Sequence, residues 1–281
     1  MASGTKNKGK RENALKAARA GVVNRKQLPW GTIIAVVVVL ALAGAVFGYY
    51  LVKSAPKRDQ ETREETAAAY APSRENQDPS KKIDGVVIKE YKHRGHVNAP
   101  ERVAYDQEVP FGGPHDGVWA TCNGTVYSTP VRTEHMVHSL EHGSVWIAYN
   151  PDKLDADAVD ALELRVKNKP FTLMSPYPGL SKPISVQSWG HQLKLADPND
   201  QRIDNFIAAL RQNQYLTPEP NASCDSVPGG FDPANPPKFE AGKPGKGATP
   251  MDFDGQTGSM QGSGGQGSPP AGGAGAGSEE K

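Results

Sequence analysis

Between Trp30 and Val52 the chain runs for 23 residues without a charge (Trp30-GTIIAVVVVLALAGAVFGYYL-Val52), and no other feature constrains its fold as strongly. At 1.5 Å per helical residue this run spans about 35 Å, enough to cross the hydrocarbon core of a bilayer with some tilt. Trp30 at one end and Tyr49 and Tyr50 at the other stand where aromatic rings favour the headgroup level. A secretory leader also pairs a basic stretch with an apolar run, and Ala43-Gly44-Ala45 reads as a small-residue cleavage site. The apolar run continues for seven residues past Ala45, however, which favours retention. The sequence therefore predicts a single transmembrane helix over 29–52.

The direction of the span does not follow from flanking charge alone. Within fifteen residues of each end, Lys16, Arg19, Arg25 and Lys26 face Lys53, Lys57, Arg58 and Arg63, a tie. Residues 1–28 carry eight basic side chains against the single acid Glu12, and such a short basic tail ahead of one span is the usual signal-anchor layout. This predicts a cytoplasmic N-terminus and an extracytoplasmic domain on a bacterial plasma membrane. Gly44 and Gly48 form a G-x-x-x-G pair that would let two such helices approach closely as a homodimer.

Beyond the anchor the chain divides by composition. Residues 53–82 mix charges and prolines and read as an extended or partly helical spacer. Residues 227–281 end in GSGGQGSPPAGGAGAGSEEK and read as a disordered tail rich in Gly, Pro and Ser. That leaves 83–226, a length that buries one core unaided. The formal net charge is +1, with the basic excess in the N-terminal tail, so nothing points to nucleic acid; that tail suits anionic lipid.

Within 83–226 the pattern is α+β: one compact domain with a small sheet and two main helices. Val145, Ile147 and Tyr149 alternate with Ser144, Trp146 and Ala148, a buried strand. A helix follows with Asp155 as its N-cap and Leu162 and Val166 one turn apart. Short strands are expected at Phe171–Met174, Ile184–Trp189 and Gln192–Leu195, and at Val86–Ile88 in a region otherwise read as loop. Ile203, Phe206, Ile207 and Leu210 then line one face of a second helix.

The chain has two cysteines, Cys122 and Cys224. In a domain outside the membrane they are expected to pair, closing a loop of about a hundred residues; a free thiol acting as nucleophile or metal ligand is the rival reading.

The chemically suggestive stretch is Glu134-His135-Met136-Val137-His138-Ser139-Leu140-Glu141-His142. If helical, it brings His138 and His142 to one face with His135 a turn earlier, and His115 follows the flexible Phe111-Gly112-Gly113-Pro114. Imidazoles joined by thioethers from Met136 and Met174 make a set suited to copper ahead of zinc. The plain alternative is that these histidines are partly buried and hydrogen-bonded. The stretch also matches the H-x-x-E-H signature of zinc peptidases. Glu219, the downstream acid that would complete such a site, sits between two prolines where a helix would not present it, so the sequence leans against catalysis.

Taken together, Pro110–Cys122 (PFGGPHDGVWATC), Pro130–Tyr149 (PVRTEHMVHSLEHGSVWIAY), Leu173–Leu180 (LMSPYPGL), Trp189-Gly190 and Pro218–Cys224 (PEPNASC) resemble the actinobacterial membrane-anchored family known as domain of unknown function 3105. The resemblance covers about 85–226. It implies family positions at His115, Trp119, Cys122, His138, Glu141, His142, Gly143, Pro176, Pro178, Gly179, Trp189 and Cys224, which supports the disulfide and makes His115, His138 and His142 the better ligand candidates. His135 and Met136 fall where the family more often has other residues, and Asn123-Gly124-Thr125 is an insertion relative to it. Two functions stand on this footing: a non-catalytic metal-binding domain, or an interaction module docking to a respiratory or cell-envelope complex in the membrane.

Overall fold

The computed structural model describes residues 28–257. The basic tail expected at 1–28, apart from Leu28, lies outside the described residues, as does 258–281.

The apolar run is helical: α1 covers Trp30–Ala67. Among the described residues it is the one helix long and apolar enough to cross a membrane. Val39, Leu40, Leu42, Val46, Phe47, Tyr49 and Tyr50 each leave more than 60% of their surface uncovered. Apolar side chains exposed in such a row are untenable in water and fit a lipid environment. The chain divides into two compact units between Ala55 and Pro56, and the helix carries Pro56 in its interior.

The second unit is built on a six-stranded mixed sheet. Its strands are β1 (Val87–Ile88), β4 (Asn123–Val126), β5 (Val145–Tyr149), β6 (Thr172–Pro176), β7 (Ile184–Ser188) and β8 (His191–Leu195), in the order β1-β8-β7-β5-β6-β4. β5 runs parallel to β6 and antiparallel to β7, with Ile147 opposite Met174 on one side and Val186 on the other. Both faces of β5 are buried, as the alternation requires. Val145, Ile147 and Tyr149 enter a core closed by α3 (Ala156–Glu163) and α4 (Gln201–Leu210) through Leu162, Ile203 and Phe206. Trp146 and Ala148 enter a second core with Phe111, Met136, Leu140 and Leu173, covered by α2 (Thr133–Glu141). The expected N-cap holds: the Asp155 carboxylate accepts the Ala158 N–H at 2.9 Å. The turn expected after Met174 begins later, since Ser175 and Pro176 remain in register with Ala148 and Tyr149.

A two-stranded parallel pair, β2 (His96–Val97) and β3 (His115–Asp116), lies apart from this sheet and sets His96 beside His115. Cys122 and Cys224 form the expected disulfide, with a Cα–Cα distance of 4.7 Å and a sequence separation of 102.

Two expectations need correction. The stretch read as a spacer is packed onto the domain from Pro56 onward. Gln60 and Ala67, two turns apart on α1, are buried, and the Gln60 amide donates to Asp204 Oδ1 at 2.6 Å. Asp204 in turn holds buried Arg165 through three hydrogen bonds of 3.1, 3.2 and 2.9 Å. The charges that suggested a spacer occupy the other faces of the same helix. The stretch read as a disordered tail is likewise docked as far as Thr257. Thr249 exchanges backbone hydrogen bonds with the Arg102–Ala104 segment, and the Gly255 and Thr257 backbones bond to both sides of His96. Phe231 is buried against Tyr127 and His135. Backbone pairing needs no particular side chain, so composition alone does not report it.

Candidate metal centre

Three local features assemble the histidines. The parallel register His96↔His115 places two imidazoles side by side, with ring centroids 5.0 Å apart. The turn into β3 depends on Gly112 and Gly113, at φ +155° and +104°. A Cβ at Gly112 would run into the Tyr91 ring, and one at Gly113 into the Met251 side chain. On α2, His138 and His142 stand one turn apart with rings 4.7 Å apart, and His138 lies the same distance from His115. His142 caps the C-terminal end of α2, where the helix carries partial negative charge and favours a cation.

Two overlapping ligand sets result. The ring nitrogens of His96, His115 and His138 and a carboxylate oxygen of Glu141 all lie within 4.8 Å of one another, and so do the ligand atoms of His138, His142 and Glu219. His115, His138 and Glu141 are buried and His96 is half-buried, whereas Glu219 leaves 48% of its side chain exposed.

Hydrogen bonding fixes which nitrogen is free. Nδ1 of His115 lies 2.8 Å from the Gly113 carbonyl, Nδ1 of His138 2.6 Å from that of Asp116, and Nδ1 of His142 2.6 Å from that of Ser223. A carbonyl only accepts, so each Nδ1 carries the proton and each Nε2 of the neutral ring keeps its lone pair. Backbone carbonyls orient metal-binding imidazoles in this manner. Burial, and after it the neighbouring imidazoles of His115 and His142, hold His138 well below the ordinary histidine range. Burial likewise lowers His96 and His142. Glu141 is pushed up by burial, but its contacts with His115 and the Arg94 charge outweigh this and leave it below the usual carboxylate range. His96, His138 and His142 thus favour the neutral imidazole, and Glu141 the ionised carboxylate.

Its centre is unsatisfied. His115 Nε2 and Glu141 Oε2 are 2.8 Å apart, yet neither has a properly directed hydrogen-bond partner. A ring nitrogen and a carboxylate oxygen at that distance in a buried site call for a proton or a cation between them. The other Glu141 oxygen is 3.2 Å from Arg94 Nη1.

The remaining sequence candidates fall elsewhere. His135 turns away, with Nδ1 2.6 Å from the Val118 carbonyl and its ring against Phe231. Met136 and Met174 are fully buried in the two apolar cores on opposite faces of the sheet. Two residues that sequence reasoning passed over join the cluster. His96 belongs to the stretch read as loop, and nothing local predicts its pairing with His115. Glu219 does not lie on a helix, as its prolines require, but a loop delivers it: its N–H bonds to the Glu141 carbonyl at 3.2 Å, and its carboxylate reaches 3.5 Å from His142 Nε2. Trp119 covers this side, its ring 4.7 Å from His142 and 5.5 Å from His138.

The fold and the cluster define a class: an α+β domain behind one apolar helix, with a buried group of imidazoles and a carboxylate fit for a metal ion. Residues 96–226 match the family model described as Protein of unknown function (DUF3105), and the folded domain of this chain belongs to that family. The match begins at His96 and takes in both cysteines and every residue of the two ligand sets. No curated protein and no solved structure matches the chain.

Proposed function

We propose that this protein is a membrane-anchored binder of a divalent transition metal, held by His96, His115, His138 and Glu141, with the N-terminus in the cytoplasm and the domain outside. The single observation that carries the reading is the unsatisfied pair His115 Nε2 and Glu141 Oε2 at the focus of two further imidazoles. A donor set of imidazoles and a carboxylate suits copper(II) or zinc, and the order of divalent affinities ranks copper(II) first. Buried in the apolar cores, Met136 and Met174 are no part of the proposed site, so the softer copper(I) is disfavoured. The outward orientation is supported by the Cys122–Cys224 disulfide, which persists in oxidising compartments.

Isothermal titration of the full chain in detergent with Cu²⁺ is expected to give one ion per chain, with affinity lost in His138→Ala. No heat above buffer for the unaltered protein would refute the proposal.

A further inference from the structure

The two ligand sets share one residue, and that sharing has a mechanical consequence. His138 Nδ1 lies 2.6 Å from the Asp116 carbonyl and is committed to it, so only Nε2 is available for an ion. One lone pair serves one ion, so the sets {His96, His115, His138, Glu141} and {His138, His142, Glu219} are alternatives and not two sites filled together. They differ in access. The first set is largely interior, and the backbones of Gly255 and Thr257 hold the chain on both sides of its least buried member, His96. The second ends on Glu219, whose side chain is 48% exposed and is presented at the surface by its hydrogen bond to the Glu141 carbonyl.

Resting on the metal-binding reading above, we infer that His142 and Glu219 form an outer landing position, from which an ion is passed through His138 to the interior set. The transfer is ligand exchange at constant oxidation state. The ion arrives bound to Glu219, His142 and His138, keeps His138, gains His96, His115 and Glu141, and releases His142 and Glu219. In the neutral rings of His115, His138 and His142 no proton is displaced from Nε2, because Nδ1 carries it. The ion that fits is a small divalent cation accepting nitrogen and oxygen donors, and the helix C-terminus under His142 favours its positive charge during arrival.

Trp119 supplies a reporter, since its ring lies against both His142 and His138, and paramagnetic Cu²⁺ quenches nearby indole fluorescence. The experiment is stopped-flow quenching of the full chain in detergent by Cu²⁺ delivered as its glycine complex, with release followed by a competing chelator. Glu219→Gln and His142→Ala are expected to slow uptake and release together, each by about tenfold or more. Removing an intermediate position raises the barrier in both directions and leaves the ratio of the two rates nearly unchanged. A loss of packing alone would speed release without slowing uptake. Variants that take up Cu²⁺ as fast as the unaltered protein, or a stoichiometry of two ions per chain, would overturn the relay while leaving the interior site standing. Absence of binding in the unaltered protein would instead remove the metal reading on which the relay rests.

Discussion

At the residue scale, the behaviour of the cluster follows from where protons sit. Three of its rings give their Nδ1 hydrogen to backbone carbonyls, so each turns Nε2 to the cluster, and for His138 and His142 burial favours the neutral ring that leaves this nitrogen free to bind. Glu141→Gln would put an amide where a carboxylate faces His115 Nε2 and Arg94, removing the anion while keeping the shape. Cu²⁺ affinity is expected to fall by about 10- to 100-fold, measured by competition with a chelator of known strength. The same rings make a prediction for the metal-free protein. His96, His135, His138 and His142 all sit below the ordinary histidine range, with burial as the leading cause. The unfolded chain therefore binds protons first as the pH falls through about 6.5. For a depressed histidine this means full stability above that pH and loss below it, continuing until the folded-state values are reached. Urea midpoints of chelator-treated protein should thus fall between pH 7.5 and 5.5, and His138→Gln should flatten the trend. An unchanged midpoint across that interval would show that the rings are not desolvated as described.

At the element scale, α2, the β2/β3 pair and the Cys122–Cys224 bridge hold the site between them. The backbone N–H of Cys122 donates to the Cys224 carbonyl at 3.0 Å, and the residue before Cys224 supplies the carbonyl that orients His142. Removing the bridge with the double change Cys122→Ser and Cys224→Ser should lower stability by about 3–5 kcal/mol, from the span of the loop it closes. The same change should broaden the His142 ring signals in NMR spectra ahead of those of His115. On the other face of the sheet, Asp204→Ala would leave Arg165, 1% exposed, as a buried charge without its carboxylate. A cost of about 3–5 kcal/mol in denaturant unfolding is expected. These elements were unequally legible in the sequence. Strand β5 and helices α3 and α4 announce themselves through period 2 and period 3.6, because each buries an apolar face locally. The His138 and His142 pair was legible for the same reason, being set by helical spacing alone. His96 was not, since a two-residue strand has no periodicity and its partner His115 lies 19 residues on. Nor was the docking of 228–257, where backbone hydrogen bonds and a few rings such as Phe231 outweigh a composition that speaks for disorder. Glu219 was misjudged by treating a helix as the only means of presenting a ligand.

At the scale of the whole molecule, one long apolar helix fits membrane anchoring, and the disulfide fits a domain outside the cell's reducing interior. Protease added to intact spheroplasts should remove the domain while leaving the N-terminal tail protected; the reverse pattern would invert the proposed orientation. The helix that leaves the apolar run continues to Ala67 and joins the domain through Gln60 and Asp204, so from Pro56 onward it is an integral part of the folded unit. The proposed site draws four side chains from β2, β3 and α2 onto one divalent ion. Its most direct test is X-ray diffraction from crystals of the Cu²⁺-loaded protein, with data collected at the copper absorption edge. A single anomalous peak is expected about 2 Å from the nitrogens of His96, His115 and His138 and within bonding distance of Glu141. A cluster without a peak, its imidazoles still turned to separate hydrogen bonds, would contradict it.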